Sequence, residues 1–296
     1  MKSLLKRVLT PHRYRSLLRL KYETFPQFKR KLGQFPFLIA GSIIKVFPER
    51  SLITLKSRIN VVRKMDYEHR DIFLNIDSDF EYRARLSSAK REPETVEWIE
   101  TYLREGDVFF DVGANIGAYS LVASKFFYGK IKVYAFEPAF LNFTQLCKNI
   151  SVNGCQGGIV PLQIALSDKT GIETFNYSNL EPGGAVHALG DAVDAEGYAF
   201  VPVAQQSVLG YRLDDLIQAF NIPIPNHIKI DVDGIEFSVL KGMEESLDHS
   251  SMRSIILELN EGRGDGGQII DFLKGKGFES RSGQGRNCIF LRSESS

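Results

Sequence analysis

Between residues 108 and 259, five short apolar runs alternate with segments of helical periodicity, and acidic residues stand where the runs end. The runs are VFFDV (108–112), IKVYAF (131–136), IVPLQI (159–164), IKI (228–230) and SIILEL (254–259). Helical spacing fills 117–127, 139–152, 235–247 and 267–276, and NCIFLR (287–292) closes the chain as a further strand. Runs that are apolar throughout belong to strands buried on both faces. Their alternation with helices predicts a mostly parallel α/β sheet covered on both sides. Ligands of such sheets bind outside the carboxyl ends of the strands. Asp111, Glu137, the 165–168 turn, Asp231 and Glu258 therefore share one edge.

Upstream, Glu92-Pro93-Glu94 suits a helix N-terminus, and Trp98, Ile99 and Leu103 give that helix its apolar face. DIFLNI (71–76) and EYRARL (81–86) alternate well enough to predict a hairpin around 77–79. The segment 172–212 breaks the rhythm with EPGGAVHALGDAVDAEGY, flanked by ETFNY and FVPVAQ as strand candidates. A connection of that length inside a domain is usually functional or disordered.

The net charge of +1 conceals an asymmetry. Residues 1–64 carry 16 Lys and Arg against Glu23 and Glu49, a charge of +14, so the remainder carries −13. The chain reads as a basic N-terminal arm, 1–70, followed by an acidic body, 71–296, with 172–212 as an insertion that could form a substrate loop. A basic arm fits an anionic partner surface, membrane or nucleic acid, or folds against the acidic body. FPFLIAGSIIKVFP (35–48) is too short to span a bilayer, which takes roughly 20 residues, but suits an interface. Met1–Thr10 has basic residues but no long apolar core before a small-residue cleavage site, so a secretory signal is not expected. Cys147, Cys155 and Cys288 show neither metal spacing nor a disulfide framework, which suits the cytoplasm, with the arm peripheral to the inner face of a membrane.

Glycines after the first strand let a backbone approach a ligand, and an acid after the second suits ribose hydroxyls. Nicotinamide sites and methyl-donor sites share both features. Gly113 and Gly117 frame Ala114-Asn115-Ile116, which leaves the dinucleotide fingerprint incomplete. Asp111 would repel a pyrophosphate and attract a sulfonium and an ammonium. At 4 Å and an effective dielectric near 20, that sign is worth about 4 kcal/mol before desolvation. S-adenosylmethionine is the cofactor this edge favours.

DVGANIGAYSL, YAFEP, ALSDKTG, LDDL, IKIDVDGIEFSVLKG and the ILE strand, in that order, resemble the FkbM family of S-adenosylmethionine-dependent methyltransferases over roughly 90–292. The resemblance implies the class I, Rossmann-like methyltransferase fold: a seven-stranded sheet, mostly parallel, with an antiparallel last strand. It implies that Asp111, Gly113, Asn115 and Gly117 shape the methionine end of the cofactor site. Glu137 would take the ribose hydroxyls, Pro138 would fix the turn beside it, and Ala165 and Leu166 would flank the adenine. Where the family commonly has D-V-E-G, this chain has Asp233, which keeps the charge and shortens the reach.

The family's association with hydroxyl methylation of sugars and polyketide-like products implies an O-methyltransferase for a sugar, glycan or glycolipid acceptor. Asp231, beside the transferred methyl, is the first candidate for general base; His187, in the insertion, is the second. Asp231, Asp233 and Glu258 raise a hard-metal site as an alternative, but Asp233 and Glu236 read more simply as acids opening a helix, so no metal is assigned. The competing readings are a nucleic-acid methyltransferase using the arm on phosphates, and a cofactor-binding or assembly module without turnover. The body carries no N-P-P-Y-like motif and no strong basic stripe, which ranks nucleic acid lower.

Overall fold

The computed structural model describes residues 48–194, 197–259, 266–281 and 287–293. The chain divides into two units, 1–60 and 61–296. Of the predicted basic arm, residues 1–47 lie outside the described residues, and nearly all of the 35–48 stretch with them. The described part of the first unit is a helix, α1 (Glu49–Arg58), with no buried residue. It carries exposed Ile53 and Leu55 beside Arg50, Lys56 and Arg58.

The second unit opens with two short antiparallel strands, β1 (Val62–Lys64) and β2 (Phe73–Asn75). The predicted partner of DIFLNI, EYRARL, is not a strand. It forms α2 (Asp79–Ala84) and a 3₁₀ turn, Arg85–Ser87. A capping box decides it: the Ser78 hydroxyl accepts the Glu81 N–H, and the Glu81 carboxylate accepts the Ser78 N–H. Satisfying those free amides starts a helix where side-chain alternation alone suggested extension. Two further helices follow, α3 (Ser88–Arg91) and α4 (Pro93–Tyr102).

The main sheet then begins. Its first half is β3 (Val108–Val112), α5 (Ala118–Phe126), β4 (Lys132–Phe136), α6 (Phe140–Val152) and β5 (Ile159–Leu162). A separate four-stranded sheet follows, made of β6 (Ala165–Leu166), just before the insertion, and of β7 (Gly171–Tyr177), β8 (Ala188–Leu189) and β9 (Ala204–Tyr211), which fall in it apart from Gly171. The FVPVAQ candidate is displaced: the strand starts at Ala204 and pairs antiparallel with all of β7. The second half is α7 (Leu213–Phe220), β10 (His227–Ile230), α8 (Glu236–Lys241), α9 (Glu244–Asp248) and β11 (Ser254–Glu258). It ends with α10 (Gly266–Gly275), β12 (Phe278–Arg281) and β13 (Asn287–Arg292).

The predicted single helix 235–247 is two helices. Gly242 passes against the Ser167 carbonyl with no room for a Cβ. The free amides of α9 are then taken by the Asp214 carboxylate, which accepts Glu245 N–H and Ser246 N–H at 3.0 Å each. Asp214 of the LDDL motif thus builds a helix terminus.

The main sheet has the order β12-β13-β11-β10-β3-β4-β5, parallel except for β13. This is the expected seven-stranded, mostly parallel sheet. The missed strand, β12, is FESR, with one buried residue and no apolar run to mark it. Successive residues of a strand face opposite sides. Phe109 accordingly enters a core with Trp98, Leu121, Val122 and Leu146, and Phe110 enters the other with Leu213, Ile228, Leu240 and Phe290. Trp98 is fully buried, and its indole N–H donates to Ser254 Oγ at 3.0 Å. His227 lies at the start of β10, buried between Ser254 and Asp107 at the amino edge, away from the strand ends that matter below.

Ser78 also donates its hydroxyl to the Pro182 carbonyl at 2.7 Å, so one side chain joins α2 to the insertion. Ser78→Ala should lower stability by about 1 kcal/mol through the lost cap, read as a reduced urea midpoint at unchanged slope.

Candidate functional site

The carboxyl ends of the parallel strands open into a crevice of about 360 Å³. The order β5-β4-β3-β10-β11 lays its functional residues out in a row. Leu166 and Ala165 stand beyond β5, Glu137 and Pro138 beyond β4, Gly113 and Asn115 beyond β3, Asp231 and Asp233 beyond β10, and Glu258 ends β11; all line the crevice. Adjacent strands are about 4.8 Å apart, so three gaps from β5 to β10 span on the order of 14 Å. That is the reach of a nucleoside extended by an amino-acid tail.

Glu137 is buried, and its two carboxylate oxygens accept the N–H groups of Asn115 (2.8 Å) and Ala139 (2.9 Å). Burial pushes its pKa up to about 7 despite these bonds. Asn115 sits at φ 49°, a left-handed conformation that asparagine tolerates. Its amide donates to the Gly184 carbonyl at 2.8 Å, while its Oδ1 is buried and accepts no hydrogen bond. Gly113, at φ 78°, lies so close to the Asp231 carbonyl that a Cβ there would overlap it. Gly117 is not a crevice residue; it starts α5 under Leu146, whose Cδ1 a Cβ would meet at 2.5 Å.

Asp111 lies beneath the crevice rather than along it. It is fully buried and accepts the Ser120 hydroxyl at 2.6 Å, while its Oδ1 has no hydrogen bond. Lys229, one strand over on β10, places its ammonium 4.0 Å from that oxygen and 2.7 Å from Asp231 Oδ2. It also lies 5.1 Å from the centre of the Tyr119 ring. Burial raises the Asp111 carboxyl above the usual carboxylate range. For Asp231 burial acts in the same direction, but Lys229 overrides it and holds the carboxyl below that range. Lys229 was visible in IKIDVDG and received no role from sequence, because a strand lysine does not announce that it points inward.

The insertion closes one wall. Arg85 donates through Nε and Nη2 to the Gly183 carbonyl at 2.9 and 2.6 Å, and Asn142 bonds both Gly183 N–H and the Gly184 carbonyl. Asp233 accepts the His187 N–H at 3.0 Å and that of Val186, and burial pushes its pKa up to about 6. Val186 is held at φ 64°, a costly conformation for a β-branched residue that persists only where the surroundings fix it. The His187 side chain also lines the crevice. Its Nδ1 accepts the Ser178 N–H at 3.3 Å, which leaves the proton on Nε2, and burial lowers its pKa to about 4. At neutral pH it is therefore an uncharged donor.

Arg85, Arg91, Glu92, Asn142, Gly184 and Val186 line the crevice and were not singled out from sequence. Only the glycine pair of EPGG carried a signal. Among the described residues, no three His, Cys, Asp or Glu side chains converge as a metal-binding group.

The site suits S-adenosylmethionine. Glu137 offers carboxylate oxygens for two ribose hydroxyls, Asn115 offers an orphaned acceptor for the ammonium, and Gly113, with no side chain, lets the first turn pack on the Asp231 carbonyl. Residues 111–280 match the Methyltransferase FkbM domain. The chain is 30% identical to the hexuronic acid methyltransferase AglP of Haloferax volcanii over 60% of its own length and 66% of that protein. It is 32% identical to the 31-O-demethyl-FK506 methyltransferase FkbM of Streptomyces tacrolimicus over 60% of its length and 74% of that protein. A solved structure of a precorrin-6y C5,15-methyltransferase from Geobacter metallireducens is similar at a TM-score of 0.43 and 11% identity, covering 69% of this chain and 88% of that one. M. jannaschii TYW2 in complex with AdoMet is similar at a TM-score of 0.40 and 10% identity, over 79% and 87%. The domain match spans more than half of the sequence, and the chain belongs to the FkbM family of S-adenosylmethionine-dependent methyltransferases.

Proposed function

We propose that the protein transfers a methyl group to a hydroxyl of a sugar, glycan or glycolipid intermediate. The observation that carries this reading is the Asp231 carboxylate at the crevice, held ionised by Lys229 on the strand next to the one that leads into Gly113 and Asn115. The relatives support it: one is named a hexuronic acid methyltransferase and another a 31-O-demethyl-FK506 methyltransferase.

S-adenosylmethionine supplies an already activated methyl, so the residues chiefly position and desolvate. Glu137 and Asn115 hold the donor by its ribose and ammonium. Asp231 orients the acceptor hydroxyl and takes its proton; a positioned base of this kind contributes about 10²–10⁴-fold. His187, neutral with its proton on Nε2, donates a hydrogen bond to the acceptor, and the pinned 182–187 loop keeps water from that side. Mass-spectrometric comparison of surface glycans from wild-type and deletion cells tests the acceptor class; loss of one methyl from one sugar is expected, and unchanged glycans would defeat it.

The first unit adds a proposal about place. Charge +14 over 1–64 and the basic, apolar-faced α1 fit a cytoplasmic protein lying on an anionic membrane that carries the acceptor. Among the described residues, no helix is long and apolar enough to cross a membrane. Vesicles rich in phosphatidylglycerol should float the full chain and not a chain lacking 1–60; equal flotation removes the arm from the account.

Two kinetic outcomes follow from the site. Asp231→Asn should lower methyl transfer to glycans extracted from deletion cells by about 10²–10⁴-fold, while adenosylhomocysteine still binds. Glu137 accepts ribose hydroxyls best when ionised, so donor affinity rises as pH rises through about 7. Calorimetry with adenosylhomocysteine should give roughly tenfold tighter binding at pH 8 than at pH 6, and Glu137→Gln should remove that dependence.

A further inference from the structure

The crevice is acidic. Glu92, Glu137, Asp231, Asp233 and Glu258 all line it, whereas the donor brings a carboxylate of its own at the methionine end. Among the described residues, the cations that line it are Arg85 and Arg91. Lys229 is not available: it is buried below and engaged with Asp231. Arg85 already gives Nε and Nη2 to the Gly183 carbonyl. Arg91, exposed at the end of α3, makes no hydrogen bond or ion pair among the described residues, and its charge acts repulsively on Arg85.

Their position along the row is fixed by their neighbours. Arg85 interacts electrostatically with Asp231, and Glu92, next in sequence to Arg91, with Asp231 and Lys229. That is the β3–β10 end of the crevice, on the far side of Glu137 from the adenine-flanking Ala165 and Leu166. Two like charges lining one crevice raise one another's energy, and an anion bound beside them offsets that cost. Both arginines also precede the region matched by the family domain, 111–280, so the match assigns them nothing.

We propose that Arg91, with Arg85 as a second cation lining the same crevice, receives the α-carboxylate of the donor, so that the segment 78–92 completes the cofactor site from outside the family domain. The proposal rests on S-adenosylmethionine being the donor. A guanidinium and a carboxylate form a charge-assisted, two-pronged hydrogen bond. An acidic acceptor offers the same chemistry to Arg91, and the test separates the two.

Calorimetry on the full chain compares adenosylhomocysteine, which has the amino-acid tail, with 5′-methylthioadenosine, which lacks it. Arg91→Gln should weaken adenosylhomocysteine about ten- to a hundredfold and leave 5′-methylthioadenosine unchanged, with Arg91→Lys in between. Being exposed, Arg91 can be replaced without emptying the core, and an unchanged urea midpoint verifies that. Equal loss for both ligands, or no loss for either, overturns the proposal. So does an Arg91→Gln protein that keeps adenosylhomocysteine affinity and loses only methyl transfer to glycans, which would give the arginine to an acidic acceptor. A wild-type chain that binds neither nucleoside removes the donor reading itself.

Discussion

The architecture of the site depends on one buried ammonium. Strands β3 and β10 run parallel in direct register, Asp111 opposite Lys229, and this brings Asp111 and Asp231 to the floor of one crevice. Two carboxylates so close together and so far from water repel each other and pay for lost hydration. Lys229 offsets both terms. Burial would lower its own pKa, but Asp231, Asp111 and Glu92 raise it, so it stays charged. The result is one ammonium shared between Asp111 beneath the crevice and Asp231 at its surface.

Glycine makes that proximity sterically feasible. With no side chain at Gly113, the carbonyl of Asp231 packs directly on the first turn, and the β3 and β10 loops share one surface. Any other residue would have to move β10 and, with it, Lys229. The wall opposite is built differently. Residues 182–187 form no regular element, yet Ser78, Arg85, Asn115, Asn142 and Asp233 take up their backbone groups one after another. Such an over-determined loop can hold Val186 in a left-handed conformation, a strain typical of ligand clamps. The Asp233 carboxylate reaches this loop and accepts the His187 N–H.

The strand–helix alternation of 108–259 was legible because buried parallel strands are apolar throughout, and so was the row of residues at their ends. Errors fell where local chemistry outweighed periodicity. EYRARL alternates like a strand, but Ser78 and Glu81 cap it into a helix. The 235–247 pattern is continuous, but Gly242 and the Asp214 carboxylate divide it. β12 escaped notice because an edge strand with one buried residue has no pattern to show.

The sequence alone determined the sheet, its functional edge and the acids along it, since these follow from hydrophobic period and from what each strand end carries. It could not determine which charges meet. Asp111 and Gly117 belong to the motif yet lie behind the crevice, and Arg85, Arg91 and Glu92 belong to no motif yet line it. Only the tertiary structure decided those memberships. Whether a charge is buried, paired or left free depends on elements far apart in the chain arriving side by side, and spacing along one strand or helix holds no record of that.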